Sequence, residues 1–220
     1  LDLPIEVSRL DRSVFVVTNR LRADPSSFIP LLQERLTYFD GDVLRLPGRQ
    51  AIRSNEGPAA VLEAIEYLKT AVAVQKLTWS PEMALAARDH TKDTGEKGLT
   101  GHDGSDGSQT SDRLERYGKW SGGNAENVSY GKDFGINVVM QLLVDDGVPG
   151  RGHRRNLFDE DFTMTGSFSG PHTTQRKMTC INYADSYITL EEAKKQEAEE
   201  TTAAEVVDAG PPPAELEEQM

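Results

Sequence analysis

The chain of 220 residues is long enough for one medium domain with appendages and for a substantial buried core. Its hydrophobic fraction of 37%, with both Trp residues and most Phe and Tyr before residue 188, excludes uniform disorder and implies a folded body followed by a solvated tail. The formal net charge of −12 argues against nucleic acid or an anionic membrane as a direct partner and favours a basic partner or divalent cations.

Val14, Val17 and Leu21 recur at helical spacing in SVFVVTNRLR, which breaks before Pro25. A second short helix is expected from Ser26 or Ser27 through FIPLLQERL, and residues 39–57, rich in Gly and Pro, read as an exposed connection. Pro58 suits a first helical turn, with Val61, Ile65, Leu68 and Val72 as its apolar stripe. Ser80, Pro81 and Glu82 supply a cap, a first-turn proline and an early acid for a helix through about Thr94. Residues 95–108 are too glycine-rich for a regular element. Ser111 or Asp112 can then cap a short helix that runs through Tyr117 and ends at Gly118.

The stretch SGGNAENVSYG around Glu126 reads as loop, helical spacing returns from Ile136 to Val144, and GRGHRRNLF again reads as loop. FTMTGSFSG and RKMTCINYA predict two strands joined by a polar connection through His172. Helices first and strands late imply an α+β arrangement. From Thr189 onward there is no aromatic residue; Leu190 to Glu200 suits a charged helix, and the PPP step suits extended chain. No internal repeat is visible. The expected organisation is an N-terminal flank at 1–10, one domain at 11–188 and an acidic, Pro-containing extension at 189–220.

One cysteine, Cys180, excludes an intramolecular disulfide and is expected to act as a small core hydrophobe. No apolar run reaches the length needed to cross a bilayer. The chain begins at Leu1 rather than Met, and a presequence of unreadable type, cleaved or omitted, is expected.

Three residues stand out for chemistry: His102 in GLTGHDGSDGS, Glu126 in GNAENVSYG and His153 in GRGHRRNLF. Glycine-rich surroundings let side chains converge, and two imidazoles with a carboxylate can hold a divalent cation, carry a proton or orient a water. Their separations match no metal signature, so three unrelated loop residues are the competing account. His90 is expected in a structural, packed role and His172 in solvent. Ser105 and Ser108 lie near His102 in a turn-forming run unlike a hydrolase elbow, and Asp103 with Asp106 lacks the rest of a calcium loop.

NAENVSYG and GHRRNLF, in that order after TGHDGSDGS and DRLERYG, resemble the motifs of the CAP superfamily (cysteine-rich secretory, antigen 5 and pathogenesis-related proteins), in its bacterial- and protist-like form. LTWSPEMALAARDH resembles the helix that precedes those motifs, and TNRLRADPSSF the opening helix, so the resemblance covers roughly residues 11 to 188. It implies a three-layer α-β-α sandwich whose cleft carries two histidines and two acids. By position these are His102, His153 and Glu126, while the second acid is replaced by Gln141 in NVVMQLLVDDG; Asp145 and Asp146 are the acids left to compensate, against which counts their place at the helix end. Glutamine keeps hydrogen bonding but loses charge.

The resemblance implies no required cofactor, a weak site for zinc or another divalent cation, and secretion. The single Cys leaves an intracellular or organellar compartment open. The leading expectation is a non-enzymatic binding or scaffold protein, docked through its flanks onto protein partners, in a large assembly. The alternatives are a sterol, lipid or divalent-metal binder using the cleft, and a metal-assisted hydrolase.

Overall fold

The computed structural model describes residues 7–208, so residues 1–6 of the N-terminal flank and the PPP step lie outside the described residues. Four strands form the central sheet: β4 (Thr78–Trp79), β5 (Gly118–Tyr130), β6 (Met164–His172) and β7 (Arg176–Thr189), in the order β4-β6-β7-β5. β4 runs parallel to β6 and the other pairs are antiparallel. Alternation along β7 divides the core in two. Ile181 and Tyr183 pack on one face with α1 (Arg9–Ala23), α3 (Pro58–Thr70) and α6 (Gly135–Val144); Met178, Cys180 and Ala184 face α4 (Pro81–Lys97) and α5 (Thr110–Glu115). The result is an α-β-α sandwich.

Local chemistry accounts for most of the helices. Ser8 caps α1 by accepting from the Asp11 N–H, and Ser80 caps α4 by accepting from the Met83 N–H at 3.1 Å. α4 continues through Gly95 to Lys97 before Gly98 closes it at φ 68°, further than its glycines predicted. A short 3-10 turn at Pro25–Phe28 leads into α2 (Ile29–Leu36). The Arg22 guanidinium is fully buried at the other end of this layer and donates to the carbonyls of Gln75, Leu157 and Phe162 at 2.7–3.0 Å. It thereby ties α1 to two distant connections.

Several expectations change. Residues 39–57 hold a small antiparallel sheet of β1 (Phe39–Asp40), β2 (Val43–Leu44) and β3 (Ile52–Arg53). Val72 lies beyond α3 and is 77% exposed, so the stripe ends at Leu68. The stretch around Glu126 is strand, not loop: β5 pairs with β7 along most of its length, interrupted only by a bulge between Ser121 and Asn124. GHRRNLF is a helix, α7 (Gly152–Phe158), not loop. His172 is buried at the end of β6, where it bonds the Leu99 carbonyl at 2.8 Å. β7 is followed directly by α8 (Leu190–Asp208).

Candidate functional site

β5 is an edge strand, and the two helical layers meet along it. Successive β5 side chains face opposite layers, so Glu126 and Val128 face α4 and α5 while Asn127 and Ser129 face α6 and α7. A cavity of about 530 Å³ follows this edge, lined by His102, His153, Gln141 and Asp145 among others.

Glu126 is buried and saturated with partners. One carboxylate oxygen takes His102 Nδ1 at 2.9 Å and lies 3.6 Å from His90 Nε2; the other accepts from Arg113 at 2.9 Å and from the Cys180 thiol at 3.1 Å. Burial pushes the Glu126 carboxyl up, but the His102 hydrogen bond and the charges of His90 and Arg113 outweigh it and hold the group below the usual range. Reciprocally, the Glu126 hydrogen bond raises the His102 imidazole against its partial burial. His90 goes the other way, pushed down mainly by burial; its Nε2 bonds the Gly101 carbonyl at 3.0 Å while Nδ1 is buried without a partner. Burial, then the adjacent Glu126 charge, push the Cys180 thiol well above its usual range, which makes it an inert core donor.

The second histidine is held by the opposite layer. Asp145 ends α6 in the left-handed conformation at φ 56°, which points its carboxylate at the start of α7. There it accepts the backbone N–H of His153 at 2.9 Å and bonds His153 Nδ1 at 2.6 Å. Arg154 locks the corner by donating to the Leu143 and Val144 carbonyls at 2.6 and 3.0 Å. This carboxylate grip on the helix start explains how a glycine- and arginine-rich run becomes helical.

His102, Glu126 and His153 are therefore brought together: the two rings lie 6.3 Å apart between centroids, each with Nδ1 tied to a carboxylate. Among the described residues neither Nε2 has a protein partner. Gln141 lines the cavity but accepts from the Ser129 hydroxyl at 2.7 Å, and the carboxylate behind His153 is Asp145. The helix-end position of Asp145 counted against it in the sequence, yet the left-handed cap is what aims it. Arg113 and His90 also belong to the network; Arg113 stands inside DRLERYG, which was the available signal. Ser105 and Asp103 contact Asp93 and Gln109, not the two rings.

A search of the curated proteins finds no match. Among solved structures, an outer surface protein of Borrelia burgdorferi is similar at 18% identity and a TM-score of 0.44, over 56% of this chain and 86% of that one. An extracellular protein containing an SCP domain from Bacillus anthracis is similar at 21% identity and a TM-score of 0.42, over 64% of this chain and 48% of that one. NaASP2, solved with Zn2+, is similar at 13% identity and a TM-score of 0.41, over 82% of each chain. The sequence model of CAP, the cysteine-rich secretory protein family, matches residues 18–183.

Proposed function

The chain belongs to the CAP family of cysteine-rich secretory proteins, and on that premise we propose that it is a non-enzymatic binding protein whose cleft takes a divalent cation, such as zinc, between His102 and His153. The observation that carries this reading is the pair of facing carboxylate–imidazole dyads. A carboxylate on Nδ1 fixes the ring and raises the basicity of Nε2, the arrangement that stands behind histidine ligands of metals. The donor set fits a cation weakly, because two imidazoles leave the remaining positions to water and, among the described residues, no group of three or more His, Cys, Asp or Glu is arranged to hold a metal. Hydrolysis is disfavoured by the state of the nearby nucleophiles: Ser129 donates to Gln141, Ser54 to Asp146, and the Cys180 thiol is buried and protonated.

Calorimetric titration of the chelator-treated protein with zinc tests the reading. Binding should be weak, with Kd above about 1 µM, lost in His102→Ala and in His153→Ala, and reduced about tenfold in Asp145→Asn. Because the His102 imidazole is raised, its proton should already compete with zinc above the ordinary histidine value of 6.5. Binding that ignores both histidine substitutions refutes the assignment.

A second reading, docking onto protein partners in a larger assembly through the flanks, is favoured by α8. Beyond Ala193 every described side chain of that helix is exposed through Thr201, and the run is rich in Glu. A basic groove on the partner suits it, with association that weakens as salt rises.

A further inference from the structure

The cavity that holds His102 and His153 extends past them to Arg35, Arg53 and Lys132. A second cavity of about 470 Å³ lies beyond it; Arg35, Ile52 and Lys132 line both, and Arg49 and Arg176 line the second alone. A chain of net charge −12 thus gathers cations at one junction. Neutralisation by carboxylates would be a purely structural explanation, but the acids that act on this pair, Asp146 on Arg35 and Asp133 on Lys132, are committed elsewhere. Asp146 accepts from the Ser54 hydroxyl at 2.8 Å and from the backbone N–H groups of Asn55 and Glu56 at 2.9 and 2.8 Å. Asp133 is held by Arg176 at 3.0 Å and by Lys177 at 3.5 Å.

Neither the Arg35 nor the Lys132 side chain has a hydrogen bond or ion pair among the described residues, and Arg35 Nε is buried with no acceptor. Unmatched buried donors are rare in folded proteins. The C-terminal end of α2 favours a cation at Arg35 through the helix dipole, yet it gives that side chain no acceptor and does not account for Lys132. Burial, reinforced by Arg35, Arg49 and Arg176, pushes the Lys132 ammonium below its usual range, and burial does the same to Arg35. In each case the nearby carboxylate, Asp146 for Arg35 and Asp133 for Lys132, offsets only part of that effect.

We propose that Arg35 and Lys132 form the head-group subsite for a small phosphate monoester whose apolar part lies against Phe39, Leu44 and Val61 in the larger cavity. Several cations around one junction suit a dianion better than a single carboxylate, and a guanidinium beside an ammonium matches phosphate oxygens well. The cavity volume lies within the range of small-molecule sites. The inference goes beyond the cation reading, with different side chains and a ligand of opposite charge.

Titration with phenyl phosphate, inorganic phosphate and benzoate on the full chain tests it. Phenyl phosphate should bind saturably and more tightly than inorganic phosphate, weaken with salt, and weaken about tenfold or more in Lys132→Gln and in Arg35→Gln. The variant carrying His102→Ala with His153→Ala should weaken it far less than Lys132→Gln does. Replacing the half-buried Arg35 can disturb folding, so Lys132→Gln, checked by circular dichroism, carries the decision. Absence of saturable phenyl phosphate binding, or binding indifferent to Lys132→Gln, overturns the proposal. Benzoate binding as tightly as phenyl phosphate overturns the phosphate assignment. Loss in the histidine double variant with retention in Lys132→Gln moves the anion to the imidazoles and overturns the subsite.

Discussion

Glu126 carries more of the cleft than any other side chain, because it answers two charges at once: the buried guanidinium of Arg113 and the imidazole of His102. Glu126→Gln keeps the shape but leaves Arg113 without a counter-charge, and a loss of about 3 kcal/mol is expected from breaking a buried pair on one side. The pH dependence follows from both partners. The carboxylate, lowered in the fold, stabilises above its ordinary value of 4.5 and loses that contribution as pH falls through its folded value. The His102 imidazolium, raised in the fold, stabilises fully below 6.5 and loses its contribution as pH rises through its folded value. Urea unfolding should therefore show the widest gap between parent and Glu126→Gln at about pH 4.5–6.5. The gap should be narrower, though still present through Arg113, at higher pH; a constant gap from there upward would remove His102 from the account.

Between elements, α4 lies close against β6, and that approach depends on the absence of a side chain. A Cβ at Gly166 would meet the Ser80 carbonyl oxygen at 2.7 Å and the Met83 carbonyl carbon at 2.6 Å, all backbone that cannot swing away. Gly166→Ala should cost about 3 kcal/mol through overpacking. Gly107→Ala, at φ 84° with open space around it, should cost about 1 kcal/mol from conformation alone. Equal losses in thermal or urea unfolding would show that contact does not set the α4–β6 distance. The same distinction explains which elements the sequence made legible. The α4 helix is announced locally, by the Ser80 cap and Pro81, and α6 by its apolar run. The β5 strand is not, because GKWSGGNAENVSY has loop-like composition, and pairing with β7 decides its state. The α7 helix is likewise settled from outside, by the Asp145 carboxylate. In the site, His102, Glu126 and His153 could be singled out as chemical groups. That Asp145 stands behind His153, and that His90 and Arg113 share Glu126, depends on contacts between layers that no spacing encodes.

At the scale of the whole molecule, the question is where the body ends and the acidic extension begins. Composition places the change at residue 189, but the sheet runs one pair further: Thr189 pairs with Gly118 across β5 and β7. Thr189 and Glu192 then exchange hydrogen bonds at 2.8 and 3.1 Å, closing a reciprocal cap on α8, and Ala193 is buried against the body. Past Ala193 the described side chains through Thr201 are exposed and offer little apolar surface to bury. The boundary in energetic terms therefore falls inside α8, about one turn after its start. Two truncations separate the alternatives. Removing residues 195–220 should leave the melting temperature of the isolated protein within about 1 °C of the intact chain, since nothing in the described part of that segment is buried. Removing residues 189–220 deletes the last sheet pair, the cap and Ala193, about 1–2 kcal/mol together, and should lower the melting temperature by about 3–6 °C. If both truncations melt with the intact chain, the body ends at residue 188 and the first turn of α8 contributes nothing. If the shorter truncation already costs several degrees, the outer helix packs on the body, and a docking role that needs it free loses its physical basis.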